Sequence, residues 1–107
     1  MKLSIITAAF NSAETIGDTL ASLQSQTWQS CEHIIVDGAS SDGTAAIVRA
    51  CGSSSIRLIS EPDHGIYDAL NKGLQLATGD VIGLLHADDV YADDAVLADV
   101  AAEFVDP

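Results

Sequence analysis

The hydrophobic residues of this chain fall into four short runs separated by stretches with helical spacing. Residues 3–8, 33–36, 56–59 and 81–85 are near-continuous apolar segments of strand length. Such runs, unlike alternating ones, are expected of strands buried on both faces of a parallel sheet. In the first intervening stretch Ile16, Leu20 and Leu23 share one helical face. Asn11 is placed there as N-cap, with Glu14 three residues on in a capping-box arrangement. A second helix is expected over about residues 43–51, with Asp42 positioned to cap it. A third, over about 65–77, puts Ile66, Ala69, Leu70, Gly73, Leu74 and Ala77 on one stripe, with Gly79 as its stop signal. The last, over about 93–104, is expected to bury Val96, Leu97, Val100 and Phe104. Asp93 and Asp94 stand at its start, where carboxylates suit unpaired N–H groups and the helix dipole.

The resulting β-α alternation predicts an α/β fold. Right-handed crossovers turn it into a doubly wound, mainly parallel, Rossmann-like sheet of about four strands with helices on both faces. Residues 1–107 are expected to form one α/β unit. Four strands make a small sheet for this class, and a further strand would follow naturally after the last helix. The expectation is therefore part of a larger domain.

Composition removes several function classes. The chain has 107 residues, 48% of them hydrophobic and 19% charged, so it reads as folded and not disordered. Its 16 acidic residues against 4 basic ones argue against a nucleic-acid surface, which needs clustered Lys and Arg. Cys31 and Cys51 form no CxxC pair and have no zinc partners at ligand spacing. Two buried free thiols in a reducing cytoplasm is the preferred reading of them. The opening "MKLSIITAAFNSA" has too brief an apolar run, broken by Ser4 and Thr7, for a signal peptide, and no segment reaches membrane-span length.

Chemistry is expected where polar residues follow the strands. In an open α/β sheet, ligands bind beyond the carboxyl ends of the strands, where the strand order reverses. Thr7 to Asn11 follow the first strand, Asp37 to Asp42 the second, and Glu61, Asp63 and His64 the third. The fourth ends in His86, Asp88 and Asp89. Carboxylates gathered on one edge must raise one another's pKa or attract a counter-ion. Hard oxygen ligands suit Mg²⁺ or Mn²⁺, and Mg²⁺ uses only one or two protein carboxylates beside water and phosphate oxygens. An isolated Asp88-Asp89 pair would read as a solvated turn. Its convergence with three other strand ends favours a site. There is no GxGxxG after the first strand, no GxxxxGK[ST] loop and no GxSxG elbow.

Three stretches taken together resemble a known family: "LSIITAAFNSAETIGDTLASLQSQTW", "EHIIVDGASSDGT" and "SEPDHGIYDALNKGLQLATGDVIGLLHADD". They are similar, in order and at family spacing, to the N-terminal half of family 2 glycosyltransferases with the GT-A fold, in the branch tied to bacterial surface polysaccharide. The resemblance implies that residues 1–107 bind a nucleotide-sugar. It implies transfer of the sugar, with inversion, from a nucleotide-diphosphate sugar to an acceptor hydroxyl on a saccharide or lipid-linked acceptor. Donor-site roles are implied for Thr7, Ala8, Phe10, Asn11, Asp37, Asp63, Tyr67, Lys72 and Asp88. For Mg²⁺ or Mn²⁺ the resemblance implies Asp89, with Asp88 and His86 as further candidates. The catalytic carboxylate of such enzymes lies in the C-terminal half. The base is therefore expected downstream of Pro107, and none of the acids in this chain is assigned that role. The cysteines and the lack of a signal-peptide or membrane-span pattern set a cytoplasmic location as the expectation, and the resemblance adds the inner face of the membrane as a candidate place for the full-length enzyme.

The chain departs from the common pattern in three places. Gly38 stands where many relatives carry a second acid after the second strand. Leu70 stands where many have Arg, leaving Lys72 as the nearby cation for a diphosphate. His86 replaces the first acid of a "DADD" motif, and its reading is open between metal ligand, hydrogen-bond donor and half-buried strand-end histidine. Trp28 and His33 are expected to be structural, and Tyr67 is balanced between stacking platform and surface residue. A competing class is a module that binds nucleotide without catalysis, or self-associates through exposed sheet surface as a homo-oligomer.

Overall fold

The computed structural model describes residues 1–105. Pro107, the point beyond which the catalytic base is expected, lies outside the described residues. Strands β1 (Leu3–Ala9), β2 (Cys31–Asp37), β3 (Ile56–Ser60) and β4 (Val81–Leu84) alternate with helices α1 (Ile16–Gln24), α2 (Thr44–Cys51), α3 (Ile66–Leu76) and α4 (Val96–Val105). The strands form one sheet in the order β3-β2-β1-β4, with every pair parallel. Right-handed crossovers then fix where each helix lies. From β1 to β3 the chain steps in one direction, so α1 and α2 share a face. From β3 it returns past β1 to β4, which sends α3 to the other face.

The side chains follow this division. Ile16 and Leu20 of α1 and Val48 of α2 pack with Ile35. Leu97 of α4 joins Leu3, Ile5 and Leu23 on the same face. Ala69 of α3 packs on Ile6, Ile34 and Val36 on the opposite face. The fold is the doubly wound α/β sheet expected from the sequence. Each fully buried aliphatic side chain at the sheet centre contributes about 2 kcal/mol, so β1 and β2 form the rigid platform from which the loops project.

Several local expectations need correction. The runs at 56–59 and 81–85 are not buried on both faces, because β3 and β4 are the two edges of the sheet. Ile82 and Leu84 of β4 are 44% and 58% exposed. The α3 stripe is likewise only partly covered: Ala69 and Gly73 are buried, whereas Ile66 and Leu74 are exposed. The helix lies over β1 and β2 and leaves β4 bare. It approaches β1 so closely that a Cβ on Gly73 would fall 2.5 Å from Ile6 Cγ2. On α4, Leu97 and Ala101 are buried but Val100 and Phe104 are exposed.

Two helix boundaries also differ from the sequence pattern. α1 starts after Thr15 and not after Asn11, so the capping box does not form. α3 ends at Leu76, short of Gly79, whose N–H instead donates to Ser4 Oγ at 2.8 Å. Asp42 does serve the start of α2, accepting the Thr44 N–H at 3.1 Å.

Two buried ionisable side chains brace the sheet from within. Glu32 of β2 accepts hydrogen bonds from Ser4 Oγ at 2.6 Å, Thr78 N at 2.8 Å and Thr78 Oγ1 at 2.9 Å. Burial opposes its ionisation, yet these bonds and the Lys2 charge outweigh it and hold the carboxyl below its ordinary range. On the other face His33 Nε2 shares a 2.7 Å hydrogen bond with Thr7 Oγ1. Burial pushes this imidazole down to about 4. His33 is structural, as expected, and Trp28 packs beside Leu3, Ile5 and Leu23.

Candidate functional site

All four strands run in the same direction, so their carboxyl ends share one edge, and the strand order reverses at β1. The loops after β1 and β2 are bound into one unit there. Asp37, fully buried at the end of β2, accepts hydrogen bonds from Ser40 N at 3.1 Å, from Ser60 Oγ at 2.7 Å and from Ser40 Oγ. These bonds fold the following loop back on itself and hold Ala39 at φ 64, a left-handed conformation that a non-glycine residue adopts only when its surroundings demand it. Asn11, at φ 48, faces this loop from the other strand end. Its N–H donates to Ser40 Oγ at 2.7 Å, and its Oδ1 accepts the Ser41 N–H at 2.9 Å. This loop-to-loop clasp is what Asn11 does in place of capping α1.

Beside the clasp a cleft of about 400 Å³ opens toward α3. Ala8, Ala9 and Phe10 from the end of β1 form one wall, and Gly38 after β2 forms the floor. Ile66 and Ala69 of α3 close the other side, with Asp63 just ahead of that helix. Apolar walls with a single charged group are the usual make-up of a small-molecule pocket. The cleft therefore brings together Ala8, Phe10 and Asp63 of the expected site residues. Ala9, Gly38, Gly65, Ile66 and Ala69 also line it and were missed as site residues. Only the α3 stripe hinted at the last two, and there they read as core.

The remaining candidates lie outside this lining. Thr7 is fully buried and bonded to His33. Tyr67 is 81% exposed on α3. Lys72 Nζ lies 3.1 Å from Glu61 and 3.7 Å from Asp68, and donates to Pro62 O at 3.1 Å. The hydrogen bond and charge of Glu61, with Asp68 and Asp63 nearby, raise the pKa of this ammonium. The base expected downstream of Pro107 lies outside the described residues.

The β4 end sits across β1 from Asp37, about 10 Å away by two interstrand spacings. Its backbone is anchored by α1. Thr15 Oγ1 donates to Ala87 O at 2.9 Å, and Thr19 Oγ1 reaches Asp89 O at 2.7 Å and Ala87 O at 3.0 Å. Nothing in the hydrophobic spacing of α1 marked these threonines. His86, Asp88 and Asp89 are all exposed, so His86 is not the half-buried strand-end residue considered above. Among the described residues no three His, Cys, Asp or Glu side chains are grouped as a metal-ligand set. His86, Asp88 and Asp89 thus do not form a three-residue cage. Two solvent-facing carboxylates still fit a hard cation that takes most of its ligands from water and phosphate.

The sequence profile of glycosyl transferase family 2 matches residues 4–107. The chain belongs to that family. It is 39% identical over 102 residues to a PGL/p-HBAD biosynthesis glycosyltransferase of Mycobacterium tuberculosis, a match covering 92% of this chain and 40% of the relative. Among solved structures it is similar to a mannosyltransferase from Pyrobaculum calidifontis in complex with GDP-Man and Mn²⁺, with a TM-score of 0.91 at 28% identity. That match covers 99% of this chain and 33% of the other. It is also similar to S. aureus TarS 1–349 in complex with UDP-GlcNAc, with a TM-score of 0.86 at 27% identity, covering 99% of this chain and 31% of the other. This family 2 chain spans less than half the length of these curated relatives, between 26% and 40%. No helix among its described residues is long and apolar enough to cross a membrane.

Proposed function

We propose that residues 1–107 form the donor-binding part of a larger, inverting glycosyltransferase domain. The full enzyme would transfer a sugar from a nucleotide-diphosphate sugar to an acceptor hydroxyl in surface polysaccharide or glycolipid synthesis. The observation that carries this reading is the edge itself. A cleft with apolar walls lies on one side of β1, and two unencumbered aspartates lie on the other, at the point where the strand order reverses. The pairing of GDP-Man with Mn²⁺ in one structural neighbour and the UDP-GlcNAc in another support it.

In this reading the cleft takes the nucleoside, and the clasped loops after β1 and β2 keep its walls rigid before the donor arrives. Asp88 and Asp89 would hold Mg²⁺ or Mn²⁺, with Asp88 also near the ribose. Bound there, the cation offsets negative charge on the departing nucleoside diphosphate. The Thr15 and Thr19 bonds fix the backbone that presents these carboxylates, so little reorganisation is needed when the donor binds. His86, beside the pair, is available as a hydrogen-bond donor to the diphosphate. Deprotonation of the acceptor is assigned to no residue of this chain. The two unpaired thiols suit a reducing compartment. The proposed location is therefore the cytoplasm, at the inner membrane face for a lipid-linked acceptor.

Titration of UDP-, GDP- and dTDP-sugars with and without Mn²⁺ tests the reading. Cation-dependent binding of at least one donor is expected, weakened at least tenfold by Asp89→Asn. Binding of none, or an unchanged cation effect in the variant, would reject it. One observation favours a second reading: Leu74, Ile82, Leu84 and Phe104 are all exposed large apolar residues. Such surface drives association, so a self-associating, non-catalytic module is the alternative. Light scattering separates the two, because a strictly monomeric, folded species that binds donor excludes it.

A further inference from the structure

We infer that the crevice between the C-terminal ends of α1 and α2, on the sheet edge opposite the strand-end site, is a second binding site and takes a neutral saccharide. A cavity of about 420 Å³ opens there, within the roughly 300–1,000 Å³ of small-molecule sites. His33 of β2 lines it from the sheet, Gln24, Trp28 and Gln29 come from the end of α1, and Cys51 from the end of α2. These elements meet where β2 and β3 begin, away from the edge where the strands end. The inference does not rest on the donor-site reading, since this lining and that of the cleft beside β1 share no residue.

The chemistry of the lining selects the ligand. No Asp, Glu, Lys or Arg lines this cavity, and burial keeps His33 uncharged at neutral pH, its imidazole titrating at about 4. A phosphate or carboxylate would find no cation there, in a chain of formal net charge −12. What the walls do hold is acceptors without partners. Gln24 donates its amide N–H to Cys51 Sγ at 2.6 Å, and Gln29 donates to Gln26 O at 3.2 Å, which leaves both amide oxygens open. His33, 2% exposed, uses Nε2 on Thr7 and has no partner for Nδ1 among the described residues. An apolar ligand would desolvate such groups without pairing them. Trp28 commits its indole N–H to Ser30 O at 3.2 Å, so what it offers a ligand is its apolar ring. An aromatic ring beside several acceptors suits a pyranose, whose C–H groups pack on the ring while its hydroxyls donate to the amides and the imidazole. A nucleobase also stacks, but it brings fewer donors than a ring with a hydroxyl on almost every carbon.

Trp28 is the single tryptophan of the chain, so its fluorescence reports on this cavity. The test titrates glucose, galactose, mannose, N-acetylglucosamine, maltose and lactose into the full chain. Glucose 6-phosphate, uracil and indole serve as charged, planar and apolar comparisons. At least one neutral sugar is expected to give a saturable emission change with a midpoint on the order of 1 mM, the range left to a stack and a few hydrogen bonds after the cost of association. The comparison compounds should bind at least tenfold more weakly. UDP with Mn²⁺ should leave the sugar titration unchanged, because it belongs to the other edge. Gln24→Leu and Gln29→Leu alter exposed residues, so both variants should fold. Each should weaken the sugar about three- to tenfold, the loss of one ordinary hydrogen bond, and should either fail to fold the other decides. No saturable change through about 50 mM of any sugar, or uracil or indole binding as tightly as the best sugar, would overturn the inference. Full affinity in every folded variant, or displacement of the sugar by UDP with Mn²⁺, would overturn it too. Each of these outcomes leaves the donor-site reading standing.

Discussion

The loop after β2 and the loop after β4 both end a strand in aspartate, yet they use the residue in opposite ways. At the end of β2, Asp37 is wholly buried and its carboxylate is saturated by Ser40 and Ser60. At the end of β4, Asp88 and Asp89 point into solvent, and it is their backbone that is held, by Thr15 and Thr19. The first arrangement spends a charge on shape. The second fixes the chain and leaves the charge available. A carboxylate at a strand end is therefore not a ligand by position alone, and its hydrogen-bond partners decide which kind it is.

The comparison breaks most sharply at Asp37. Asp37→Ala would strip the acceptor from the Ser40 N–H and from two serine hydroxyls, removing three part-buried hydrogen bonds and leaving Ala39 without the bonds that hold it at positive φ. A loss of about 3–5 kcal/mol is expected for three such bonds to a charged group, read as a fall in the urea midpoint at unchanged m. A loss under about 1 kcal/mol, the size of one ordinary hydrogen bond, would mean that the loop is held by something other than this carboxylate.

How far the sequence alone reaches can be judged on these same loops. The strands and the α/β order were legible because four apolar runs at strand length, spaced by helical patterns, have few other solutions. The site edge was legible for the same reason, since parallel strands put all their carboxyl ends together. What stayed hidden depended on partners far along the chain. Asp37 meets Ser60 across 23 residues and Asn11 meets Ser41 across 30. The local pattern offered Asn11 only the role of a cap. The exposed half of the α3 stripe was hidden too, because periodicity shows which face is apolar but not how much sheet lies beneath it. Asp63 was legible as a strand-end acid. Its place beside Gly38 in the cleft was not.

A second prediction concerns the platform under both loops. His33 titrates at about 4 in the folded chain against an ordinary 6.5. The unfolded chain therefore takes up this proton first as pH falls. Stability contributed by the neutral imidazole is complete above pH 6.5, and is lost progressively as pH drops through the window down to about 4. At about 1.4 kcal/mol per pH unit the loss is on the order of 3 kcal/mol. Denaturant melts at intervals across that window should show the slope, and His33→Gln should flatten it. Glu32, held below its ordinary 4.5, adds its own loss only as pH falls below that value, so the upper part of the window reports His33 and the two contributions overlap at its acid end. An equal slope in His33→Gln would assign the acid sensitivity elsewhere.

The smallest expected change in stability is the most informative about the β4 end. Asp88→Asn and Asp89→Asn remove charges that face water and leave intact the carbonyls to which Thr15 and Thr19 donate. Folding stability should stay within about 0.5 kcal/mol of the wild type, the usual range for surface substitutions. A slight gain would not surprise, because the chain carries a formal net charge of −12 and neighbouring carboxylates repel. The same variants should nevertheless lose Mn²⁺-dependent donor binding, so that stability and binding come apart. At Asp37 the opposite coupling holds, since the fold and any donor site built on it would fail together. If Asp89→Asn instead destabilised the chain as Asp37→Ala does, the β4 end would be a second structural loop. The cation would then have no carboxylates kept free for it.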